Sequence, residues 1–171
     1  MTQTSQNEFQ CTIDGEVYRG MPSFAAPQPE SYFMIPEAQR AARCVVSDDA
    51  CVIDERQFFI RACLDIPVHG YTLPLTYSVW TAISEESFVD WTDKYQLAKR
   101  KNTAAYFGWL NTILAGYPDT YNLKVQVQLR DDGAAPIALL EQTNHPLSVE
   151  QRDGIHATRV AQLFEIMMKG L

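Results

Sequence analysis

Phe58-Phe59-Ile60-Arg61-Ala62-Cys63-Leu64-Asp65-Ile66-Pro67-Val68 is the stretch whose reading decides the fold. Its even positions carry Phe58, Ile60, Ala62, Leu64, Ile66 and Val68, while its odd positions carry Phe59, Arg61, Cys63, Asp65 and Pro67. A period of two is the signature of a strand, so one row faces a core and the other, more mixed row faces away. Upstream, Cys51-Val52-Ile53-Asp54 reads as a shorter strand with Glu55-Arg56 as the turn. Setting Asp54 against Gln57 puts Ile53 opposite Phe58 and Cys51 opposite Ile60, with Cys51 on the apolar face and Cys63 on the other. A slip of one residue would exchange the faces.

Downstream, Leu75–Ile83 alternates again, with Leu75, Tyr77, Val79 and Ile83 on one side. Ser84 can cap a helix whose first turn carries Glu85 and Glu86, carboxylates favoured at the positive end of the dipole. Phe88, Trp91, Tyr95 and Ala98 form its buried stripe, and Lys99-Arg100-Lys101 close it. Leu123–Arg130 is a further strand, Asp131-Asp132-Gly133 a turn, and Ile137–Glu141 the returning strand. Ser148 and Gln151 match a capping box for a last helix that runs past Gly154 to Gly170. Pro36 suits the start of a short helix to Val45. The prolines and glycines between Gly15 and Pro36 predict an extended stretch. Together these elements predict an N-terminal arm over residues 1–35 and one α+β domain over 36–171. Strands in runs point to a mostly antiparallel sheet covered by two or three amphipathic helices.

The chain has 171 residues, 46% hydrophobic and 20% charged, which is globular usage. With 14 Lys+Arg against 21 Asp+Glu its formal charge is −7. An excess of carboxylates argues against nucleic-acid binding, which needs clustered cations to neutralise phosphate. Met1–Glu8 has neither the basic start nor the apolar run of a signal peptide. No apolar stretch approaches the ~20 residues that span a bilayer, so no membrane association and a cytoplasmic location are expected. Cys11, Cys44, Cys51 and Cys63 contain no Cys-x-x-Cys pair and read as apolar thiols in a reducing compartment. No metal and no cofactor are predicted.

Three histidines could carry chemistry. His69 lies at a strand exit, His156 in the last helix, and His145 precedes Pro146, where an extended backbone could aim it into a cleft. The bland reading of His145 is a loop histidine bonded to backbone. Arg61 and Asp65 share the mixed row of their strand, either as a charge pair on a wet face or as the lining of a pocket. Tyr106-Phe107-Gly108-Trp109-Leu110 is the most aromatic segment. Exposed, it would be a partner-binding surface; buried, a satellite core. Trp80 carries the same two readings. The candidate binding residues are therefore Arg61, Trp80, Tyr106, Trp109 and His145, and His145 is the one candidate for catalysis.

Taken in order, Ile35-Pro36-Glu37 with Arg40 and Arg43, Asp49–Asp54, Phe58–Arg61 with Ile66-Pro67-Val68, Val79-Trp80 with Ser84 and Phe88, Tyr106–Leu110, Tyr117-Pro118 with Thr120, and His145-Pro146-Leu147 resemble a bacterial family known as domain of unknown function 2199. Members look as though they begin Phe-x-Cys-x-x-Cys-Gly, a small metal-knuckle-like start. Here that stretch reads Phe9-Gln10-Cys11-Thr12-Ile13-Asp14-Gly15, with Asp14 in place of the second cysteine. One thiolate and one carboxylate suit zinc poorly. The resemblance implies no activity. The expectation is a non-enzymatic module that binds a protein or ligand, an acidic immunity-type protein being one form; a small hydrolase using His145 beside a carboxylate is the alternative.

Overall fold

The computed structural model describes residues 8–10 and 15–169. In chain order the elements begin β1 (Glu8–Gln10), β2 (Val17–Arg19), β3 (Ser23–Ala25), α1 (Glu30–Phe33) and α2 (Glu37–Arg43). β4 (Cys44–Val46), β5 (Ala50–Ile53), β6 (Gln57–Ile66), β7 (Leu75–Ile83) and α3 (Glu85–Lys94) follow. β8 (Tyr106–Leu110), β9 (Lys124–Gln128), β10 (Ile137–Leu140), α4 (Pro146–Asp153) and α5 (Ala157–Lys169) complete the order.

β6 to β10 form an antiparallel meander. Its backbone is the β6–β7 ribbon, paired from Phe58 opposite Ile83 to Ile66 opposite Leu75. Reversing direction at each turn leaves the fifth strand parallel to the first, and Ile137 of β10 pairs with Cys63 of β6. The sheet therefore closes into a five-stranded barrel. This corrects the expected sheet covered by helices: the fold is α+β, but its core is mainly the inside of the barrel. A barrel this narrow is filled by side chains. Ile60, Ala62, Leu64, Val79, Val125 and Val127 fill it, with Trp91 of α3 and Val160 and Leu163 of α5 in the same buried cluster. At Gly108 an added Cβ would lie 2.6 Å from the Ala82 carbonyl oxygen, so only glycine lets β8 approach β7 this closely.

The other row of β6 is also partly buried. Phe59, Cys51, Ile53, Trp80 and Ile35 form a second core on the outer face of the barrel, with Tyr32 of α1 packed against it. The β5–β6 register is one residue from that expected: Ile53 pairs with Gln57 and Cys51 with Phe59. Asp54 and Glu55 adopt positive φ, which makes a turn of three residues rather than two. Cys51 and Cys63 consequently share a face, at different heights along the ribbon.

Three helical expectations also change. α3 ends at Lys94, before the basic triplet. The short helix after Pro36 ends at Arg43, because Cys44–Val46 pair with β5. The last helix is two, broken at Gly154, whose φ is 79° and whose added Cβ would lie 3.0 Å from the Pro67 carbonyl. The expected capping box does not form: Ser148 Oγ donates to the Glu141 carbonyl, and the Gln151 amide bonds the backbone of β10. Residues 23–25, within the segment read as an arm, pair in parallel with β7.

Candidate functional site

Arg61 and Trp80 face each other across the β6–β7 ribbon. The guanidinium carbon lies 4.5 Å from the Trp80 ring centroid, a cation–π stack. Arg61 donates to the carbonyls of Asp48 (2.8 Å), Ala26 (2.8 Å) and Pro27 (3.4 Å), and to Ser78 Oγ at 3.1 Å. The Trp80 indole N–H donates to the same Ala26 carbonyl at 3.1 Å, and the ring is 0% exposed. Asp65 accepts from the Thr76 hydroxyl at 2.7 Å. The arginine therefore fastens the 26–27 crossing and the Asp48 turn onto the ribbon.

This pair also marks where the ribbon's edges divide. Along β7, β3 pairs with Thr76–Ser78 and β8 with Thr81–Ile83, so the two part beside Trp80. Along β6, β5 reaches Ile60 and β10 begins at Cys63, so they part beside Arg61. Each parting opens a cleft. That on the β7 side, about 240 Å³, is lined by Phe24, Gln28, Glu30, Phe33, Tyr77 and residues 112–114 among others. That on the β6 side, about 260 Å³, is lined by Asp49, Arg61, Trp91, Tyr95, Gln96, Arg100, Gly133, Ala135 and Pro136. In the second, Tyr95 donates to the Asp49 carboxylate, while buried Arg100 donates to the carbonyls of Arg130 and Ala134.

β8 presents a different surface. Its burial alternates, with Tyr106, Gly108 and Leu110 inside and Phe107 and Trp109 outside. Phe107 is 45% exposed and Trp109 39%, and their rings meet edge to face at 4.8 Å. Cross-strand register places Gln126 beside Phe107 and Leu139 beyond it, and Lys124 beside Trp109. Leu139 is also exposed. A groove between α3 and residues 103–106, carrying Glu86, Asp90 and Asp93 with exposed Val89, leads into this strand.

Tyr106 points inward and donates to Asp90 at 2.6 Å. Burial, then that hydrogen bond, pushes its phenol well above the usual range. The same bond is the main cause holding Asp90 below the ordinary carboxyl value, with Lys94 second. His145 caps α4: Nδ1 accepts the Leu147 N–H at 3.1 Å, and Nε2 lies 3.0 Å from the Asp119 carbonyl. With Nδ1 accepting, the ring proton sits on Nε2 and is directed at Asp119. Both nitrogens are committed to backbone, and neither is free to act as a base. His69 and His156 are exposed and their rings are 4.7 Å apart.

Of the residues singled out in the sequence, Arg61 and Trp80 come together, Trp109 stands on the outer face, Tyr106 is inside, and His145 lies at the start of α4. Phe107 and Leu139 were overlooked as surface residues, although the parity of Phe107 with Trp109 put both on one face. Burial pushes the Cys51 thiol up to about 12 and raises Cys63 too. Among the described residues no group of three or more His, Cys, Asp or Glu could hold a metal ion. Cys11 and Asp14 lie outside them. No described helix is long and apolar enough to cross a membrane.

A family model described as an uncharacterized protein conserved in bacteria (DUF2199) matches residues 10–155. No curated protein and no solved structure matches the chain.

Proposed function

Because the chain belongs to the DUF2199 family, which carries no assigned activity, the reading must come from its own surface, and we propose a non-enzymatic module that binds a basic protein. The observation that supports it is the exposed Phe107–Trp109 pair on the outward face of a regular strand. Two large rings held rigidly by backbone pairing offer contact area with little side-chain entropy to lose, and such residues dominate binding energy at interfaces. Leu139 widens the apolar patch on one side. On the other, the Glu86–Asp90–Asp93 groove supplies carboxylates, and the whole chain carries −7. Carboxylates along one side of an aromatic centre, on a chain of net negative charge, favour a cationic partner by steering and register more than by affinity. An immunity-type neutraliser of a basic toxin is one version of this reading. His145 lends the hydrolase alternative no support, since its ring nitrogens hold the start of α4.

The test compares wild type with the double variant Phe107→Ala and Trp109→Ala as baits for bacterial extract, with circular dichroism showing both folded. A stoichiometric protein retained by wild type and lost from the variant is the expected result. Truncating an aromatic anchor costs about 2 kcal/mol or more, roughly thirtyfold in Kd. Identical capture by both baits, or by neither, would sink the reading.

A further inference from the structure

The cleft where β3 and β8 part along β7 combines features of a small-molecule site. Its walls are mostly apolar, from Phe24, Phe33, Tyr77, Ile113 and Met167. Its rim is held rigidly: the Ala26 N–H donates to Ser78, the Glu30 N–H to Asn111, and the Ala26 carbonyl accepts from both Arg61 and Trp80. Within this satisfied backbone, the buried side-chain oxygen of Gln28 has no hydrogen-bond partner among the described residues. Native proteins leave few such atoms unpaired, and Gln28 lines the cleft.

The lining has one charge, the carboxylate of Glu30. Two arginines stand behind the wall with their N–H groups committed to backbone: Arg61 donates to the Ala26 and Pro27 carbonyls, and Arg40, over Phe33, donates to the Phe33 and Ile35 carbonyls. Gln28 Oε1 and Glu30 are acceptors, and the aromatic side chains of Phe24, Phe33 and Tyr77 line the same cleft. We propose that this cleft binds a small primary amine with an apolar, ring-sized body. The ammonium would donate to Gln28 Oε1 and face Glu30, and the body would lie among the aromatic side chains. A pocket that is chiefly apolar with a few convergent polar groups is the usual form of a small-molecule site. This site is separate from the Phe107–Trp109 surface, and either can fail without the other.

The test titrates the full chain at pH 7 with 2-phenylethylamine, ethylbenzene and 3-phenylpropanoate, followed by amide chemical shifts. The amine should saturate, move the signals of Phe24, Gln28 and Ile113, and bind at least about tenfold tighter than the carboxylate of similar shape. A hydrogen bond to a charged group contributes about 1.5 kcal/mol or more, so Gln28→Leu should weaken the amine by about tenfold. Ile113→Trp, which fills the mouth from a site 56% exposed, should abolish binding with the fold intact. No saturation by the amine, equal binding of all three probes, shifts elsewhere on the chain, or undiminished binding to the Ile113→Trp protein would each overturn the proposal.

Discussion

A guanidinium presents five N–H donors in one plane, and Arg61 directs its own to three carbonyls and a hydroxyl from three separate segments. Lysine carries the same charge at a point and cannot span those acceptors. Arg61→Met, which keeps the stem packed on Trp80, is expected to lower stability by about 2–3 kcal/mol, the cost of leaving half-buried acceptors unpaired. Arg61→Lys should recover less than half of that. Urea unfolding midpoints measure both, and an unchanged Arg61→Met protein would show that the contacts hold nothing. The alternation in β6 already put Arg61 on the face away from Ile60. It could not reveal what lay there. Side-chain parity says which way a residue points, whereas the Ala26 and Asp48 carbonyls arrive from segments 35 and 13 residues away in the chain.

At the scale of elements, the ends are decided by side chains that reach across. Asp131 Oδ1 accepts the backbone N–H groups of Arg100 (2.7 Å) and Lys101 (2.8 Å), joining the segment after α3 to the β9–β10 turn. Those two bonds, Arg100 first, hold its carboxyl below the ordinary 3.8. A carboxyl lowered on folding stabilises the native state above the unfolded value, and that contribution is lost as pH falls through about 4 toward the folded value. Asp131→Asn should therefore be less stable than wild type at pH 7, with the gap closing below pH 4. Urea titrations at pH 7, 5 and 3.5 measure it; a gap that widened in acid would refute the assignment. The basic triplet beside Asp131 looked like the end of a helix, since local propensity and dipole arguments favour one. Tertiary contacts override them, and Arg100 turns instead to the Arg130 and Ala134 carbonyls. The last helix behaves likewise: Gly154, legible as a weak point, becomes a break because the Pro67 carbonyl approaches it.

Across the whole molecule, the barrel is closed by unequal seams. The β6–β7 ribbon pairs along its full length, whereas β10 meets β6 at Ile137 and Cys63, with the Cys63 N–H donating to the Pro136 carbonyl at 2.7 Å. Local opening follows the weakest seam, so the Cys63 amide should exchange hydrogen markedly faster than ribbon amides such as those of Leu64 and Tyr77. Equal protection would mean that the barrel opens only by global unfolding. The same comparison separates what each level of organisation decided. Strand identity in β6, β7 and β9 follows from the amino-acid order alone, because a period of two is set by backbone geometry and needs no partner. The capped start of α3 is local in the same sense. Closure of the sheet, the β5 register, and the exposure of Trp109 against the burial of Trp80 were settled only by tertiary structure. Each depends on which distant segment covers a face, and burial is a property of neighbours rather than of order along the chain.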